Sequence, residues 1–189
     1  MKVFGIGWAK TGTTTLGRCL EVLGYRHVGQ RLDLVPHLEL GDFAAIQAVA
    51  AEADAFEDWP WLLLFRELDR AFPGSRFVLT TRVPARWLRS YLNMLRHPVF
   101  VNDELTHVRR VLYGLPFPDV TAEQLLDRYQ RHHDAVFEHF RGRRDDLLVV
   151  DWEEGHGWTE LCRFLGHEVP DQAFPRENVG TYEPSPPPS

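Results

Sequence analysis

The sequence predicts an α/β protein built in three layers, with helices covering both faces of a parallel central sheet. Short apolar segments alternate with amphipathic helical patterns along the chain. Strands separated by helices are joined by crossover connections, which favour parallel pairing. The 189 residues, 44% of them hydrophobic, suffice for one substantial core. No internal repeat divides the chain, so we expect a single domain over residues 1–182.

A strand, a glycine-containing loop and a helix open the chain. Residues 3–7 read Val-Phe-Gly-Ile-Gly, which is typical of a short buried strand. The helical repeat of Leu16, Leu20 and Leu23 follows the loop, and Gly24 stands where that helix should end. The leucine repeat therefore predicts the first helix of the fold.

The middle of the chain continues the alternation of helices and strands. Asp42 is expected to cap a second helix, and residues 55–58 to form a short strand with a polar end. Pro60 is predicted to open the next helix, because proline fits the first helical position. Residues 76–81, Arg-Phe-Val-Leu-Thr-Thr, form the clearest strand pattern, and Pro84 begins the helix after it.

The last third of the chain predicts a long helix, a strand and a final helix. Thr121 and Gln124 have the spacing of a capping box, which marks the start of the long helix. Residues 147–150, Leu-Leu-Val-Val, suggest a strand covered on both faces, and the final helix should end before Gly166. The Pro- and Ser-rich residues 183–189 are expected to form a disordered tail. The expected inward side chains of the long helix are Leu125, Tyr129, Val136, Phe137 and Phe140.

The loop after the first strand has the composition of an anion-binding site. Its sequence from Gly7 to Thr15 is Gly-Trp-Ala-Lys-Thr-Gly-Thr-Thr-Thr, so glycines and a lysine precede the first helix and the last three threonines place hydroxyls at its start. The spacing matches a nucleotide-binding P-loop except that Thr13 stands in place of the P-loop lysine. Lys10 is one of only two lysines in the chain, which favours a specific role for its charge. The loop predicts binding of phosphate or sulfate.

Polar residues also follow the other predicted strands, where ligands of open parallel sheets bind. Arg82 and Ser90 could share a surface near the start of one helix and form a second anion site. Asp58 could instead be the N-cap of the helix expected at Pro60. Asp151 could be a magnesium ligand or could simply end its strand beside solvent. The residues at the four strand ends are Lys10, Glu57, Asp58, Arg82 and Asp151.

These motifs resemble those of sulfotransferases that use 3′-phosphoadenosine 5′-phosphosulfate (PAPS). Residues 10–14, Lys-Thr-Gly-Thr-Thr, resemble the family's 5′-phosphosulfate loop, and Arg82 with Ser90 resembles its 3′-phosphate site. Residues 147–153 and the segment at residues 164–178 resemble the late strand and the closing segment of the family. The resemblance spans nearly the whole chain and implies a P-loop NTPase-like sulfotransferase fold.

The resemblance implies roles for individual residues in sulfuryl transfer from PAPS to a hydroxyl or amine of a small-molecule acceptor. Lys10 would contact the sulfuryl group and the leaving oxygen, without a metal ion. Asp58 is the first candidate for the catalytic base, Glu57 the second, and a histidine such as His27 or His37 the third. Many family members carry an adenine-stacking tryptophan at the position of Thr15, so the adenine contact stays unassigned. The implied binding residues for PAPS and its product PAP are Lys10, Thr11, Gly12, Thr13, Thr14, Thr15, Arg82, Ser90 and Arg176.

Two other functions remain open at the level of the sequence. A P-loop kinase would need magnesium ligands and a lysine where Thr13 stands. A non-catalytic nucleotide-binding protein would retain the loop, but Asp58 would then be only a helix cap. Trp59, Trp61 and Trp87 are candidates for either the acceptor pocket or the core. The histidine-rich stretch at residues 132–139 lacks zinc-binding spacing, so packed or solvated histidines are expected.

The overall composition limits partners and location. A formal net charge of −6 argues against nucleic acid and anionic membranes as partners. Cys19 and Cys162 have no CxxC spacing, which favours structural thiols in a reducing compartment. The chain begins with a core strand instead of a signal sequence, so a cytoplasmic location is expected. Monomer and homodimer both stay open, and the loops expected at residues 28–41 and 97–118 do not identify the acceptor.

Overall fold

A computed structural model describes residues 1–177 as a five-stranded, all-parallel sheet surrounded by helices. Asn178 and the predicted tail lie outside the described residues. The spatial strand order is β2-β3-β1-β4-β5, so β1 is the central strand. The strands are β1 (Val3–Gly5), β2 (His27–Val28), β3 (Ala55–Phe56), β4 (Arg76–Thr80) and β5 (Leu147–Val150). The helices are α1 (Thr13–Val22), α2 (Val35–Glu39), α3 (Phe43–Ala51), α4 (Phe65–Ala71), α5 (Pro84–Arg96), α6 (Asp103–Tyr113), α7 (Ala122–His139) and α8 (Trp158–Leu165).

The two faces of the sheet are built by alternate residues of the same strands. Phe4 of β1 pairs with Phe56 and Phe77, and the ring centroids are 5.1 and 5.5 Å apart. These phenylalanines pack with residues of α3, α4 and α7, whereas Val3 and Ala55 pack with residues of α1 and α8. The predicted three-layer α/β/α architecture with a parallel sheet is thereby confirmed.

A third apolar cluster lies beyond the carboxyl edge of the sheet, between α5, α6 and α7. Aromatic rings dominate it, with Trp87 stacked on Tyr129 at 4.2 Å and Trp8 stacked on Tyr113 at 4.7 Å. Buried aromatic pairs of this kind add to the stabilisation that comes from burial alone. This cluster supports the loops that follow the strands.

Several helix starts were predicted correctly from local sequence patterns. Asp42 caps α3 by accepting from the Ala45 N–H at 3.3 Å, and Thr121 with Gln124 forms a complete capping box on α7. Cys19 and Cys162 are both buried and not bonded to each other, which agrees with structural thiols. Within residues 1–177, no helix is both long enough and apolar enough to cross a membrane.

Three expectations about the elements were wrong. The chain after Pro60 forms the 3₁₀ turn Trp61–Leu63, and the α-helix begins only at Phe65. Phe137 is 48% exposed, because the inward stripe of α7 runs through His132 and Val136 instead. Strand β5 lies at the sheet edge and leaves its Val149 37% exposed.

The segments expected as irregular loops contain helices. Residues 28–41 include α2, and residues 97–118 include α6. Asn102 caps α6 by accepting from the Leu105 N–H at 2.8 Å, and Gly114 ends it in the left-handed conformation. Charged residues on the outer side of α6 hide its apolar repeat in the sequence, so the helix was missed.

Candidate active site

A cavity of about 890 Å³ lies beyond the carboxyl ends of β1, β3, β4 and β5. This is the sheet edge at which ligands of open parallel sheets bind. The structure therefore brings ten of the predicted site residues to one space, whereas Glu57 does not line it. The predicted residues that line the cavity are Lys10, Thr11, Gly12, Thr13, Thr14, Thr15, Asp58, Arg82, Ser90 and Arg176.

The loop after β1 is held against β4 by close packing and two hydroxyl groups. A Cβ atom at Gly7 would lie 1.9 Å from Thr80 Oγ1, so no other residue fits there without displacing β4. The Thr11 hydroxyl donates to the Trp8 carbonyl at 2.6 Å and lies 2.6 Å from the Thr80 hydroxyl. The Thr11 hydroxyl is therefore engaged within the protein, where it fixes the shape of the loop.

The next residues of the loop present a cation and a helix end to the cavity. Lys10 has φ = 73° and Gly12 has φ = 91°, so both adopt the left-handed region. Residues other than glycine rarely adopt this backbone conformation, and those that do, such as Lys10, concentrate at functional sites. Gly12 is the N-cap of α1, where it supplies no side-chain cap, so the positive end of the helix is available to an anion.

Trp152 and the segment after α8 close the loop from the other side. A Cβ atom at Gly12 would lie 2.4 Å from Trp152 Cδ1, and Trp152 Nε1 donates to the Gly12 carbonyl at 3.1 Å. The Thr15 hydroxyl accepts from the Glu177 N–H at 3.1 Å, which brings the neighbouring Arg176 to the cavity wall. Thr15 is therefore covered by the closing segment at residues 176–177.

Arg82 stands at the end of β4 and forms the second cationic position. Its backbone N–H donates to the Tyr129 hydroxyl at 3.1 Å, and that hydroxyl donates to the Arg82 carbonyl at 3.0 Å. Its guanidinium reaches the Lys10 carbonyl at 3.4 Å, and its Nε is buried without a hydrogen-bond partner. Ser90, eight residues further on α5, lines the same cavity.

The guanidinium of Arg82 pairs with Glu153, a residue that the sequence reasoning missed. Glu153 follows β5 and also pairs with Arg86 at 3.3 Å. The hydrogen bond from Arg82 lowers the pKa of the Glu153 carboxyl. The Arg82 guanidinium is thus already paired with a carboxylate of the protein.

Asp58 contributes a carboxyl group to the cavity from the end of β3. Its φ of 69° is again left-handed, and its Oδ1 accepts from the adjacent Trp59 N–H at 2.8 Å. Burial, reinforced by the nearby charge of Glu57, raises the pKa of Asp58 to about 7, and Lys10 opposes this shift. Because α4 starts only at Phe65, Asp58 does not cap that helix.

Glu57 and the candidate histidines lie away from the cavity. Strand alternation directs Glu57 to the α1 face of the sheet, where its Oε1 lies 3.6 Å from His27 Nε2. Burial lowers the pKa of His27, but Glu57 and Glu21 outweigh this and raise it overall. His37 pairs with Asp42 at 3.0 Å. Of the proposed bases, only Asp58 lines the cavity.

Lys10 lies between a positive and a negative side chain, Arg82 and Asp58. Burial lowers the pKa of Lys10, the positive charge of Arg82 lowers it further, and Asp58 raises it. Asp151 Oδ1 accepts from the Glu153 N–H at 2.9 Å, so this carboxylate holds the turn that follows β5. Among residues 1–177, no group of three or more His, Cys, Asp and Glu side chains is arranged to hold a metal ion.

The far wall of the cavity comes from the end of α5, from α6 and from the segment between them, which the sequence did not indicate. Trp59 lines this wall, and its Nε1 donates to the Tyr113 hydroxyl at 3.0 Å. Trp61 and Trp87 are fully buried in the core instead. The remaining wall residues include Met94, Phe100, Asn102, Leu105 and Arg109.

Comparison with known proteins decides the family. A family model described as a sulfotransferase domain matches residues 2–182. The chain belongs to the sulfotransferase family. A curated relative, "Ava biosynthesis cluster protein M" of Aspergillus versicolor, is 26% identical over 212 residues, which cover 93% of this chain and 80% of that protein. The resemblance inferred from the loop motif and the strand ends is confirmed at the level of the family.

Proposed function

We propose that this sulfotransferase-family protein transfers the sulfuryl group of PAPS to a hydroxyl or amine of a small molecule, with Asp58 as the base. One observation carries the proposal. The loop at residues 10–15, the carboxyl group of Asp58 and the pair Arg82 and Ser90 all line a single cavity.

The residues present fit a donor with two separate phosphate-bearing positions. The end of α1, together with Lys10, supplies backbone N–H groups and a cation for one anion. Arg82 supplies a guanidinium whose buried Nε has no protein partner, and Ser90 adds a hydroxyl. When bound, PAPS supplies the sulfuryl group and PAP is the leaving product. Arg82 and Ser90 would hold the 3′-phosphate that distinguishes these molecules from AMP.

Asp58 and Lys10 would share the work of the transfer. Asp58 accepts the proton of the acceptor's hydroxyl or amine as the acceptor atom bonds to sulfur. A pKa near 7 suits this role, because a general base works best when its pKa lies near the operating pH. Lys10 and the α1 N-terminus stabilise the negative charge on the oxygen that leaves with the 5′-phosphate. Because these groups are in position before the reaction begins, they stabilise the charge of the transition state more than that of the bound substrate.

Thermal unfolding with ligands tests the proposal. A ligand that binds only the folded protein raises the unfolding temperature by mass action. We expect PAP and PAPS to raise it without Mg²⁺, and ATP and GTP to have little effect with or without Mg²⁺. A larger shift with Mg²⁺ and ATP than with PAP would instead support a kinase.

A further inference from the structure

The cavity contains a buried cation that the sulfuryl-transfer scheme does not use. Arg109 of α6 is only 3% exposed, yet it lines the cavity wall. Its Nη1 donates to the Phe100 carbonyl at 2.7 Å, and its Nε is buried without a hydrogen-bond partner. Across residues 1–177, none of the ion pairs joins Arg109 to a carboxylate, whereas Arg82 has Glu153.

A buried guanidinium without a counter-charge is costly, because the protein interior solvates charge poorly. Folding keeps such a group only where other interactions compensate for its burial. Arg109 is partly compensated by aromatic faces, with its guanidinium carbon 5.9 Å from the Trp59 ring and 6.0 Å from the Phe117 ring. The cation and its unsatisfied donor therefore favour an anionic group that arrives with a ligand.

The surroundings of Arg109 define the rest of that ligand. Met94, Phe100 and Leu105 give the same wall an apolar surface. Burial raises the pKa of Tyr91 to about 12, and the neighbouring hydroxyl of Tyr113 and guanidinium of Arg109 oppose this shift, so Tyr91 lies beside Arg109. Because Arg109 and Asp58 line the same cavity, one bound molecule can contact both the guanidinium and the proposed base.

We propose that Arg109 determines acceptor specificity by binding a carboxylate, so that the acceptor is an apolar or aromatic acid carrying a hydroxyl or amine. The identity of this molecule as an acceptor rests on the proposed function, whereas the carboxylate site at Arg109 does not. An arginine forms charge-assisted hydrogen bonds with a carboxylate that an ester or amide of the same shape does not reproduce.

Binding of simple acids and their methyl esters tests the site. Benzoate, 3-phenylpropionate and 2-naphthoate are each compared with the corresponding methyl ester by calorimetry, with and without PAP. Hydrogen bonds to charged groups predict that the best-bound acid exceeds its ester by about 10- to 100-fold in affinity. PAP at saturation fills the positions at Lys10 and Arg82, so the remaining acid preference reports on the far wall.

Substitutions assign the preference to Arg109. Arg109→Met should abolish it, and Arg109→Lys should retain part of it, while the exposed Arg96→Met on α5 serves as a matched control. Unfolding melts verify that each variant folds, and Arg109→Lys keeps the test valid if the methionine variant does not. Equal affinity for all acids and esters would overturn the proposal. An undiminished preference in Arg109→Met would also overturn it, as would an undiminished preference in Arg109→Lys if the methionine variant does not fold. Failure of PAP to bind would remove the sulfuryl-transfer proposal but leave the acid preference measurable.

Discussion

Replacing Asp58 by Asn should separate catalysis from architecture. Asn preserves the size of the side chain and can still accept from the Trp59 N–H, but it cannot take up a proton from an acceptor. We therefore expect transfer to fall by about 100-fold or more, with PAP binding nearly unchanged. Glu57→Gln is the matched control, because Glu57 faces His27 and does not line the cavity.

The same substitution should change the pH dependence of stability. The pKa of Asp58 rises from 3.8 to about 7 on folding, so between these values the folded protein retains a proton that the unfolded chain releases. The Asp58 contribution to the free energy of unfolding is therefore lost as the pH rises through this window. From about pH 5 to about pH 8 we expect a loss of about 2 to 3 kcal/mol in the wild type relative to Asp58→Asn.

Urea unfolding at both pH values measures this difference, since groups that do not interact with Asp58 titrate alike in both proteins and cancel in the comparison. A radiolabelled sulfate-transfer assay with an accepted substrate measures the catalytic effect. Transfer at the wild-type rate by Asp58→Asn, together with an inactive Glu57→Gln, would assign the base to Glu57. Activity of both variants would show that neither carboxylate is the base, and His27 and His37 would be tested next.

Two further substitutions test the anion positions. Lys10→Ala should lower turnover by about 100- to 1000-fold and weaken PAP binding much less, because Arg82 and the α1 N-terminus still hold the phosphates. Steady-state kinetics and calorimetry check this, and wild-type turnover would make Lys10 a bystander. Glu153→Gln should strengthen PAP binding by about 2- to 5-fold, because it frees Arg82 from a partly exposed ion pair. Glu154→Gln is its control, since Glu154 lies 4.0 Å from Arg86, and unchanged affinity in Glu153→Gln would show that the pair does not compete with the ligand.

The sequence predicted those parts of the site that depend on neighbouring residues. The loop around Lys10 was recognisable because glycine, lysine and threonine spacing is local, and Asp58 because a polar residue followed a short strand. The ion pair between Arg82 and Glu153 joins the ends of two strands that are far apart in sequence, so no local pattern predicts it. Its formation depends on the pairing of β4 with β5.

The acceptor side of the cavity was the least predictable from sequence. Helix α6 was missed because Asp103 and Glu104 begin it and charged residues interrupt its apolar repeat. Arg109 reads in sequence as one of many surface arginines, and only the packing of α6 buries it. Strand β2 has only two residues, His27 and Val28, which is too short for a periodic signal.

Calorimetric titration with PAP and with AMP tests the central claim most directly. The two ligands differ only in the 3′-phosphate, which we assign to Arg82 and Ser90. We predict that PAP binds at least about 10-fold more tightly than AMP, because charge-assisted hydrogen bonds to this phosphate are lost in AMP. The variant Arg82→Ala should remove most of that preference. Equal affinities of the wild-type protein for PAP and AMP would contradict the account.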